Sequence, residues 1–287
     1  MKKFYLAFIV LAFITLSCHS QSDKSNQATE TPIYKSNVKP QDVYYFQFDG
    51  FEMWSLKDKY DNPMSMDLFQ DADQSIVKQL VPTGEAEASV NAFLIKRNGK
   101  YILFDTGIGA ANGGKMFHLL DSLGVSPEEI SAVCLSHFHF DHIGGMLTNG
   151  KASFPNAELY FAAAEPKAWS NDKNVQAMLT AYKGRTHTFS DNEVILDGVS
   201  TKPAPGHTPG HTIYQVGNLV IIGDLLHAAM LQLSHPEFSA KYDQDKTLAV
   251  KTRKTFYKYI EDNHYIVAGM HLPNDGVMKK FPHHSEE

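Results

Sequence analysis

The chain of 287 residues is poor in cysteine, with Cys18 near its start and Cys134 in its interior. Two such cysteines give no disulfide framework, and no internal disulfide is expected. Hydrophobic residues make up 43% of the chain and charged residues 20%, as in an ordinary globular protein. A chain of this length can bury a full core as one large domain.

Basic residues are also scarce. Lys and Arg number 26 against 32 Asp and Glu, so the formal net charge is −6, and no basic stripe is evident. Proteins that bind nucleic acid neutralise its phosphates with Lys and Arg, so we expect no nucleic-acid partner. The sequence also lacks Gly-x-Ser-x-Gly, the turn that exposes a nucleophilic serine.

The apolar run at the start of the chain, Phe4 to Leu16, is too short for a comfortable transmembrane helix. Lys2 and Lys3 precede this run, and Ser17-Cys18 follow it. A basic region, a short apolar region and a small residue before cysteine together resemble a bacterial lipoprotein signal, in which Cys18 becomes the lipidated N-terminus. An uncleaved anchor is the alternative.

Composition divides the chain into three segments. Residues 1–17 are the predicted lipoprotein-type signal peptide, and residues 18–40 are rich in Ser, Asn, Gln, Thr and Lys, as in a flexible tether. Residues 41–287 form the predicted globular domain. We therefore expect a lipid-anchored protein of a bacterial cell envelope, either periplasmic or at the outer membrane.

Hydrophobic patterns in this domain predict alternating strands and helices, an α/β fold in two halves. Two hairpins are predicted, one turning at Asp49-Gly50 and the other at Asn98-Gly99. Cap residues and helical spacing predict helices over Lys115–Leu123, from Ser126, mainly over Glu165–Tyr182, and over Lys246–Asp262.

Three histidines and an aspartate fall within six residues directly after the predicted strand Ile130–Leu135. These are the ligand types that zinc and similar cations prefer. His137 and His139 lie two residues apart, so an extended backbone would direct both rings to one side. Asp141 and His142 are adjacent and diverge from that pair, which suits a second cation beside the first.

Further ligands must come from later in the chain, since two histidines cannot complete a four-coordinate shell. His207 and His211 lie in a Gly/Pro turn, while Asp224 and His271 each end an apolar strand. Taken singly, Asp224 could instead cap a helix and His271 could be a surface residue. Together with the first cluster they supply enough ligands for two cations.

The four motifs in this order resemble the metallo-β-lactamase superfamily of hydrolases, over about Asp42 to Gly276. The resemblance implies a four-layer αβ/βα sandwich of two mixed β-sheets flanked by helices. It also implies two divalent cations, with zinc expected. One would be held by His137, His139 and His207 and the other by Asp141, His142 and His271, with Asp224 bridging them. His211 would be a structural partner.

Within the superfamily, the motifs are most similar to methyl parathion hydrolases and N-acyl-homoserine lactonases. The β-lactamases proper carry cysteine where this chain has Asp224, and flavodiiron-type members replace the second histidine, which this chain keeps as His139. The stretch from Tyr44 to Phe46 resembles the beginning of the sequences of that group, and Ala268–Pro273 resembles their end. The following loop, Asn274–Met278, departs from the pattern expected there.

The resemblance implies hydrolysis of an ester-like bond by a hydroxide that bridges the two cations. Asp141 would orient this hydroxide, and His227, three residues after Asp224, would protonate the leaving group. The expected enzyme is a lactonase of the acyl-homoserine-lactone type with phosphotriesterase side activity. A thioester hydrolase resembling glyoxalase II and a non-catalytic metal-binding lipoprotein are the alternatives. The partner is a small-molecule substrate, and a homodimer could form.

For other residues near these motifs, the sequence gives less specific predictions. Asp105, in Asp-Thr-Gly, is predicted to be structural, ending a strand and bonding local backbone amides. His227 could equally pack locally. The side chains that could line an apolar pocket, or else belong to the core, are Trp54, Phe138, Phe140, Trp169 and Met230.

The lipid anchor gives a first testable prediction. Cys18→Ser should leave the signal unprocessed by the lipoprotein pathway, because that pathway acts on the cysteine itself. Mass analysis of the mature wild-type N-terminus should find a lipid-modified Cys18. An unmodified wild-type chain that begins at another residue would reject the anchor.

Overall fold

The computed structural model describes residues 42–282. The predicted signal peptide, the predicted tether and residues 283–287 lie outside the described residues. Among residues 42–282, no helix combines the length and the apolar character needed to cross a bilayer.

The strands are short and are distributed over the whole described chain. In order they are β1 Val43–Phe48, β2 Phe51–Lys59, β3 Met64–Ser65, β4 Glu85–Ala86, β5 Val90–Arg97, β6 Lys100–Phe104, β7 Ile130–Cys134, β8 Leu147–Thr148, β9 Lys151–Ala152, β10 Glu158–Ala162, β11 Thr186–Phe189, β12 Val194–Leu196, β13 Val199–Pro203, β14 Thr212–Val216, β15 Leu219–Ile221, β16 Ile266–Ala268 and β17 Val277–Met278.

Helices separate several of these strands. They are α1 Gln74–Leu80, α2 Met116–Leu123, α3 Phe140–Ile143, α4 Glu165–Ala168, α5 Lys173–Ala181, α6 Ala229–Gln232 and α7 Lys246–Asp262. Three single 3₁₀ turns, Met66–Phe69, Ala110–Asn112 and Pro127–Glu129, accompany them.

Two mixed sheets contain most of the strands. The first has the order β1-β2-β5-β6-β7-β10-β11, antiparallel from β1 to β6 and parallel from there to β11. The second has the order β12-β13-β14-β15-β16-β17 and is antiparallel except for the β15-β16 pair. The predicted mixture of parallel and antiparallel pairing is confirmed.

Apolar side chains bury both faces of each sheet. Phe93 and Phe104 of the first sheet pack with Tyr214 and Ile221 of the second between the sheets. Leu119 of α2 and Val175 of α5 lie in the cluster that covers the outer face of the first sheet. Tyr257 and Ile260 of α7 lie in the cluster on the outer face of the second. The predicted helix–sheet–sheet–helix layering is confirmed.

Local sequence signals fix most element ends. Both predicted hairpins form, with turns at Asp49-Gly50 and Asn98-Gly99. Gly124 ends α2 in the left-handed conformation, and the side chain of Asp245 caps the first turn of α7. The predicted helices over Lys115–Leu123 and Lys246–Asp262 are thereby confirmed to within one residue.

Two of the predicted helices are shorter than expected. The segment from Ser126 forms a capping box with Glu129, as its sequence indicates, but only one 3₁₀ turn follows before β7 begins at Ile130. The apolar β-branched run of β7 pairs with its neighbours and ends the turn. The predicted helix over Glu165–Tyr182 is interrupted between α4 and α5, where Asp172 caps a new helix.

Candidate metal centre

The predicted ligands lie on loops that leave the sheets at one edge. His137 and His139 follow β7, and Asp141 and His142 lie in the one-turn helix α3. The turn that carries His207 joins β13 to β14. Asp224 follows β15 and His271 follows β16, so each sheet contributes ligands to a single place.

The first group of candidate ligands consists of His137, His139, His207 and Asp224. One ring nitrogen of each of its three histidines lies close to those of the other two. His137 Nε2 lies 2.8 Å from His139 Nδ1 and 3.2 Å from His207 Nε2, and His139 Nδ1 lies 2.8 Å from His207 Nε2. Tetrahedral ligands of zinc lie roughly 3.3 Å apart at ordinary bond lengths. The rings therefore approximate one face of such a shell.

The second group is formed by Asp141, His142 and His271. Asp224 connects the two groups through its two oxygens. Its Oδ2 lies 3.3 Å from His207 Nε2, and its Oδ1 lies 3.1 Å from His142 Nε2. His271 Nε2 is close to both oxygens, at 3.2 Å from Oδ1 and 3.3 Å from Oδ2. The sequence therefore placed all seven residues in one site, and the structure brings all seven together.

For three of the candidate ligand histidines, an acceptor behind the ring fixes which nitrogen carries the proton. His142 Nδ1 donates to Asp105 Oδ2 at 2.6 Å, and His207 Nδ1 donates to Asp243 Oδ1 at 3.0 Å. His271 Nδ1 donates to the backbone carbonyl of residue 89 at 3.1 Å. These partners leave the Nε2 lone pairs of the three rings directed into the site, as metal ligation requires.

Asp105 is structural, as predicted, but its partners are not local. Its Oδ1 accepts from Ser136 N at 2.7 Å, and its Oδ2 accepts from Ser136 Oγ at 2.6 Å as well as from His142. The expectation of bonds to nearby amides was wrong because Asp105, at a φ of 55°, faces the end of the neighbouring strand β7. Asp105 thus orients a candidate ligand.

His211 has the structural role predicted for it. Its Nδ1 donates to Ala204 O at 2.9 Å, so its Nε2 is an acceptor and receives Asp224 N at 2.9 Å. Burial and the nearby His207 lower the pKa of His211 to about 3. A neutral His211 therefore holds the backbone of Asp224 in place.

The charge distribution favours a positive ion at the centre. Burial lowers the pKa of His142, but the carboxylates of Asp224, Asp141 and Asp105 outweigh burial and raise this pKa well above its ordinary value. Burial raises the pKa of Asp224, yet the surrounding rings, His142 first, hold it well below its usual range. Carboxylates and lone pairs together stabilise positive charge at this point.

Two buried atoms of the site confirm that a cation fits. His142 Nε2 and Asp224 Oδ1 have no hydrogen-bond partner among the described residues, although they lie 3.1 Å apart. Buried polar atoms without partners cost free energy unless something satisfies them. Both are metal-ligand atom types, and a divalent cation between them would satisfy both.

A third candidate group consists of His207, His227 and Asp243. Here Asp243 is already neutralised, because the buried guanidinium of Arg253 lies 3.2 Å from its Oδ2. Its other oxygen accepts from His207 Nδ1. We therefore assign Asp243 to the support of His207, not to a separate ion.

Glu165 is a functional residue that the sequence did not reveal. It is fully buried at the start of α4. Its carboxylate accepts four hydrogen bonds, from Phe138 N at 3.0 Å, Trp169 Nε1 at 2.8 Å, Thr208 Oγ1 at 2.6 Å and Gly210 N at 2.8 Å. It therefore ties the loop of His137 and His139 to the turn of His207.

A cavity of about 440 Å³ opens beside the two groups. Its lining consists of Asn62, Pro63, Met64, Ser65, Leu68, His139, Phe140, Asp141, Asp224, His227, Tyr242 and His271. Of the predicted wall residues, Phe140 lines this cavity. Phe138 and Trp169 line the neighbouring one, while Trp54 is buried in the core and Met230 is exposed elsewhere.

His227 lies at the boundary between the cavity and the ligands. Its Nε2 is 3.3 Å from Asp224 Oδ2, and neither ring nitrogen has a hydrogen-bond partner among residues 42–282. The backbone is fixed, because Gln232 Oε1 accepts from His227 N at 2.7 Å. The buried ring lies against the rings of His207 and His271, with centroid distances of 4.9 and 5.7 Å, and its Nε2 side faces Asp224.

Residues 87–271 match the sequence family described as the metallo-beta-lactamase superfamily, and this span contains all seven predicted ligands. The chain belongs to the metallo-beta-lactamase superfamily. The similarity suggested by its sequence motifs is thereby confirmed, and so is the fold inferred from that similarity.

Solved structures of this superfamily resemble the chain over most of its length. The hydrolase AbOPH of the beta-lactamase superfamily superposes with a TM-score of 0.76 at 28% identity, covering 87% of this chain and 100% of that one. AidC, a dizinc quorum-quenching lactonase, superposes with a TM-score of 0.73 at 25% identity, covering 82% and 92%.

An N-acyl homoserine lactonase of a Bacillus species is 28% identical over 132 residues, which is 46% of this chain and 50% of that protein. The chain thus spans about half the length of the curated relative that it matches. Similarity of this extent supports membership of the superfamily but does not identify the substrate of this chain.

Removing the carboxylate of Glu165 tests its connecting role. Glu165→Ala should lower the free energy of unfolding by about 3 kcal/mol, because four donors lose their acceptor in a buried place. Chemical denaturation of the purified protein measures this loss. Glu128→Ala, at an exposed glutamate, is the matched control and should change stability by less than about 0.5 kcal/mol. Equal effects of both variants would contradict the assignment.

Proposed function

We propose that this protein is a dinuclear metal-dependent hydrolase of ester-like bonds, with lactones of the acyl-homoserine type as its main substrates. Phosphotriesters are proposed as side substrates. The single observation that supports this proposal most is the position of Asp224. Its carboxylate lies between two groups of candidate ligands, with Oδ2 3.3 Å from His207 Nε2 and Oδ1 3.1 Å from His142 Nε2. A carboxylate between two ligand groups is the arrangement that a pair of adjacent cations requires.

In this proposal His137, His139 and His207 hold one cation, and Asp141, His142 and His271 hold the other. Asp224 binds both. Zinc is the proposed metal, because imidazole and carboxylate form the ligand set that it prefers. When bound, two such cations supply a nucleophile at neutral pH by lowering the pKa of water, and they polarise the oxygen of the bond to be cleaved.

The chain's own residues prepare this chemistry. Asp105, Asp243 and the carbonyl of residue 89 hold the ring protons away from the ligand nitrogens. Asp141, the most accessible of the second group, lines the cavity and can accept a hydrogen bond from the attacking water. We propose that it orients this water toward the substrate.

The cavity favours a neutral substrate with an apolar part. Met64, Leu68 and Phe140 supply apolar surface, and no lysine or arginine among residues 42–282 lines the cavity. An anionic substrate would find no cationic side chain there to pair with its charge. This supports a lactone or neutral ester over a thioester that carries a charged group, and it agrees with the absence of a nucleic-acid partner that we propose.

His227 is proposed as the donor to the leaving oxygen. Burial lowers the pKa of His227, with the Asp224 carboxylate opposing this effect. A neutral ring still carries one N–H, and both ring nitrogens are without a partner in the described structure. An alkoxide that departs beside Asp224 would lie within reach of this N–H.

A panel of substrates tests the proposal directly. The purified protein should bind about two divalent ions per chain and should hydrolyse lactones faster than thioesters or phosphotriesters. Removal of the ions with a chelator should abolish turnover, and zinc should restore it. Faster cleavage of thioesters would favour a glyoxalase-type activity. Metal binding without turnover of any substrate would favour a metal-binding lipoprotein.

Replacing the connecting carboxylate should be the most damaging change at the site. Asp224→Ala removes a ligand from both cations, so turnover should fall by more than the roughly 10- to 100-fold that loss of a supporting residue costs. Metal analysis should show fewer than two ions per chain. Near-normal activity with a single bound ion would show that Asp224 does not bridge.

His227→Ala should retain both ions, because the proposed ligands are all other residues. Turnover of lactones should fall by about 10²- to 10⁴-fold, the usual contribution of a positioned acid. Esters with acidic phenol leaving groups should be affected less, since a phenolate departs without a proton. Equal losses on both substrate types would assign His227 a structural role, and loss of an ion would make it a ligand.

A further inference from the structure

The short turn that carries His271 is attached to the first sheet through one carbonyl. Leu272 O accepts from Ser89 Oγ at 2.6 Å, from Asn91 Nδ2 at 2.9 Å and from Lys57 Nζ at 3.3 Å. All three donors are buried, and Lys57 and Asn91 belong to the neighbouring strands β2 and β5. We call these three residues the carbonyl clamp.

The clamp holds the residues on both sides of His271. Asn91 Nδ2 also donates to Gly269 O at 2.8 Å, and Asn91 N donates to Met270 O at 2.8 Å. The backbone carbonyl of Ser89 accepts the Nδ1 proton of His271 at 3.1 Å. The position of the turn and the direction of the His271 ring therefore depend on the same few residues.

Lys57 is an unusual member of this set. Its side chain is fully buried, and its hydrogen-bond partners are Ser89 Oγ and Leu272 O, both uncharged. Burial lowers the pKa of Lys57 to about 7, with the Asp275 carboxylate acting in the opposite direction. A buried amine is costly, and an apolar side chain of similar length would avoid that cost.

The loop Asn274–Met278, which departs from the pattern expected after Pro273, lies next to the clamp. Asp275 lies in this loop, and a Cβ atom at Gly276 would lie 2.9 Å from Asn91 Nδ2 and 3.0 Å from Ser55 Oγ. Gly276 N donates back to Pro273 O at 3.0 Å, and its carbonyl accepts from Gly269 N at 3.0 Å. The loop thus packs against Asn91 of the clamp.

Lys57 does not line the cavity beside the candidate ligands. Its hydrogen bonds reach the site through the turn that carries His271 and through Ser89. This makes it a positioning residue, with His271 as the group that it positions.

We propose that the carbonyl clamp sets the orientation of His271 and so determines the affinity of the second cation position. This inference rests on the proposed two-cation function. It predicts that the clamp residues affect the two cation positions unequally, because His271 belongs only to the second group. A general loss of stability would weaken both positions together.

Lys57→Met keeps the length of the side chain and removes the amine, so it tests the clamp in the full-length protein. Competition with a chromophoric chelator should show that the tighter zinc ion binds as in the wild type. The second should bind about 10- to 100-fold more weakly, the cost typical of losing a supporting residue behind a ligand. With cobalt in place of zinc, the absorption of the second ion should change.

Ser55→Ala is the matched control. Ser55 lies two residues from Lys57 on β2, is equally buried, and its Oγ has no hydrogen-bond partner among the described residues. This variant should bind both ions as the wild type does. If Lys57→Met does not fold, Ser89→Ala provides the test, since it removes the 2.6 Å bond to Leu272 O with a smaller change.

Nitrogen-15 NMR of the metal-free protein gives a readout that needs no cation. The wild type should show His271 protonated on Nδ1, and Lys57→Met and Ser89→Ala should weaken this preference. Unchanged His271 signals together with unchanged affinities, or a parallel loss at both cation positions, would overturn the clamp. A wild-type protein that binds fewer than two ions would instead refute the proposed function, and the NMR comparison would then decide the positioning role alone.

Discussion

The candidate metal centre requires several histidine nitrogens and a carboxylate to lie close together in a buried site, and the rest of the fold has to hold them there. The Nε2 lone pairs of His142, His207 and His271 point at the carboxylate of Asp224, and all four side chains are nearly inaccessible to solvent. Lone pairs and a carboxylate repel one another and are poorly solvated there. Positive charge at this place, from protons or from cations, offsets the repulsion. The acceptors behind the rings keep them from turning away.

Hydrogen bonds between the two sheets hold the loops that carry the ligands. Thr212 N of the second sheet donates to Ser136 O beside the first ligands at 2.9 Å, and Tyr214 Oη donates to Leu135 O at 2.7 Å. On the other side, Asn91 N of the first sheet donates to Met270 O. The ligand loops of one sheet are thus hydrogen-bonded to the other, and the relative position of the sheets sets the geometry of the centre.

The sequence predicted His137, Asp224 and His271 because they follow apolar runs that form strands, and strand ends meet at a sheet edge. The assignment of His207 rested on the Gly/Pro turn and on the resemblance to the superfamily. The hairpins and long helices were predictable because their signals are local. The supporting residues were not. Asp105, Glu165 and Lys57 each have at least one hydrogen-bond partner 31 or more residues away, and no local pattern distinguishes them from an ordinary acid or lysine. Their roles depend on register and packing, which only the folded chain defines.

One part of the cavity wall, the 62–68 segment, lies outside the group of candidate ligands, although His139, Asp141, Asp224 and His271 also line the cavity. Met64 and Leu68 belong to a segment whose apolar side chains pack into a distinct cluster with α1 and with the residues around Phe238. Substitutions in the 62–68 segment can therefore reshape the space for substrate while the ligands and their supporting hydrogen bonds stay in place. A fold arranged in this way can keep one hydrolytic chemistry and change the substrates to which it is applied, which explains why the ligand motifs specify the reaction more narrowly than they specify the substrate.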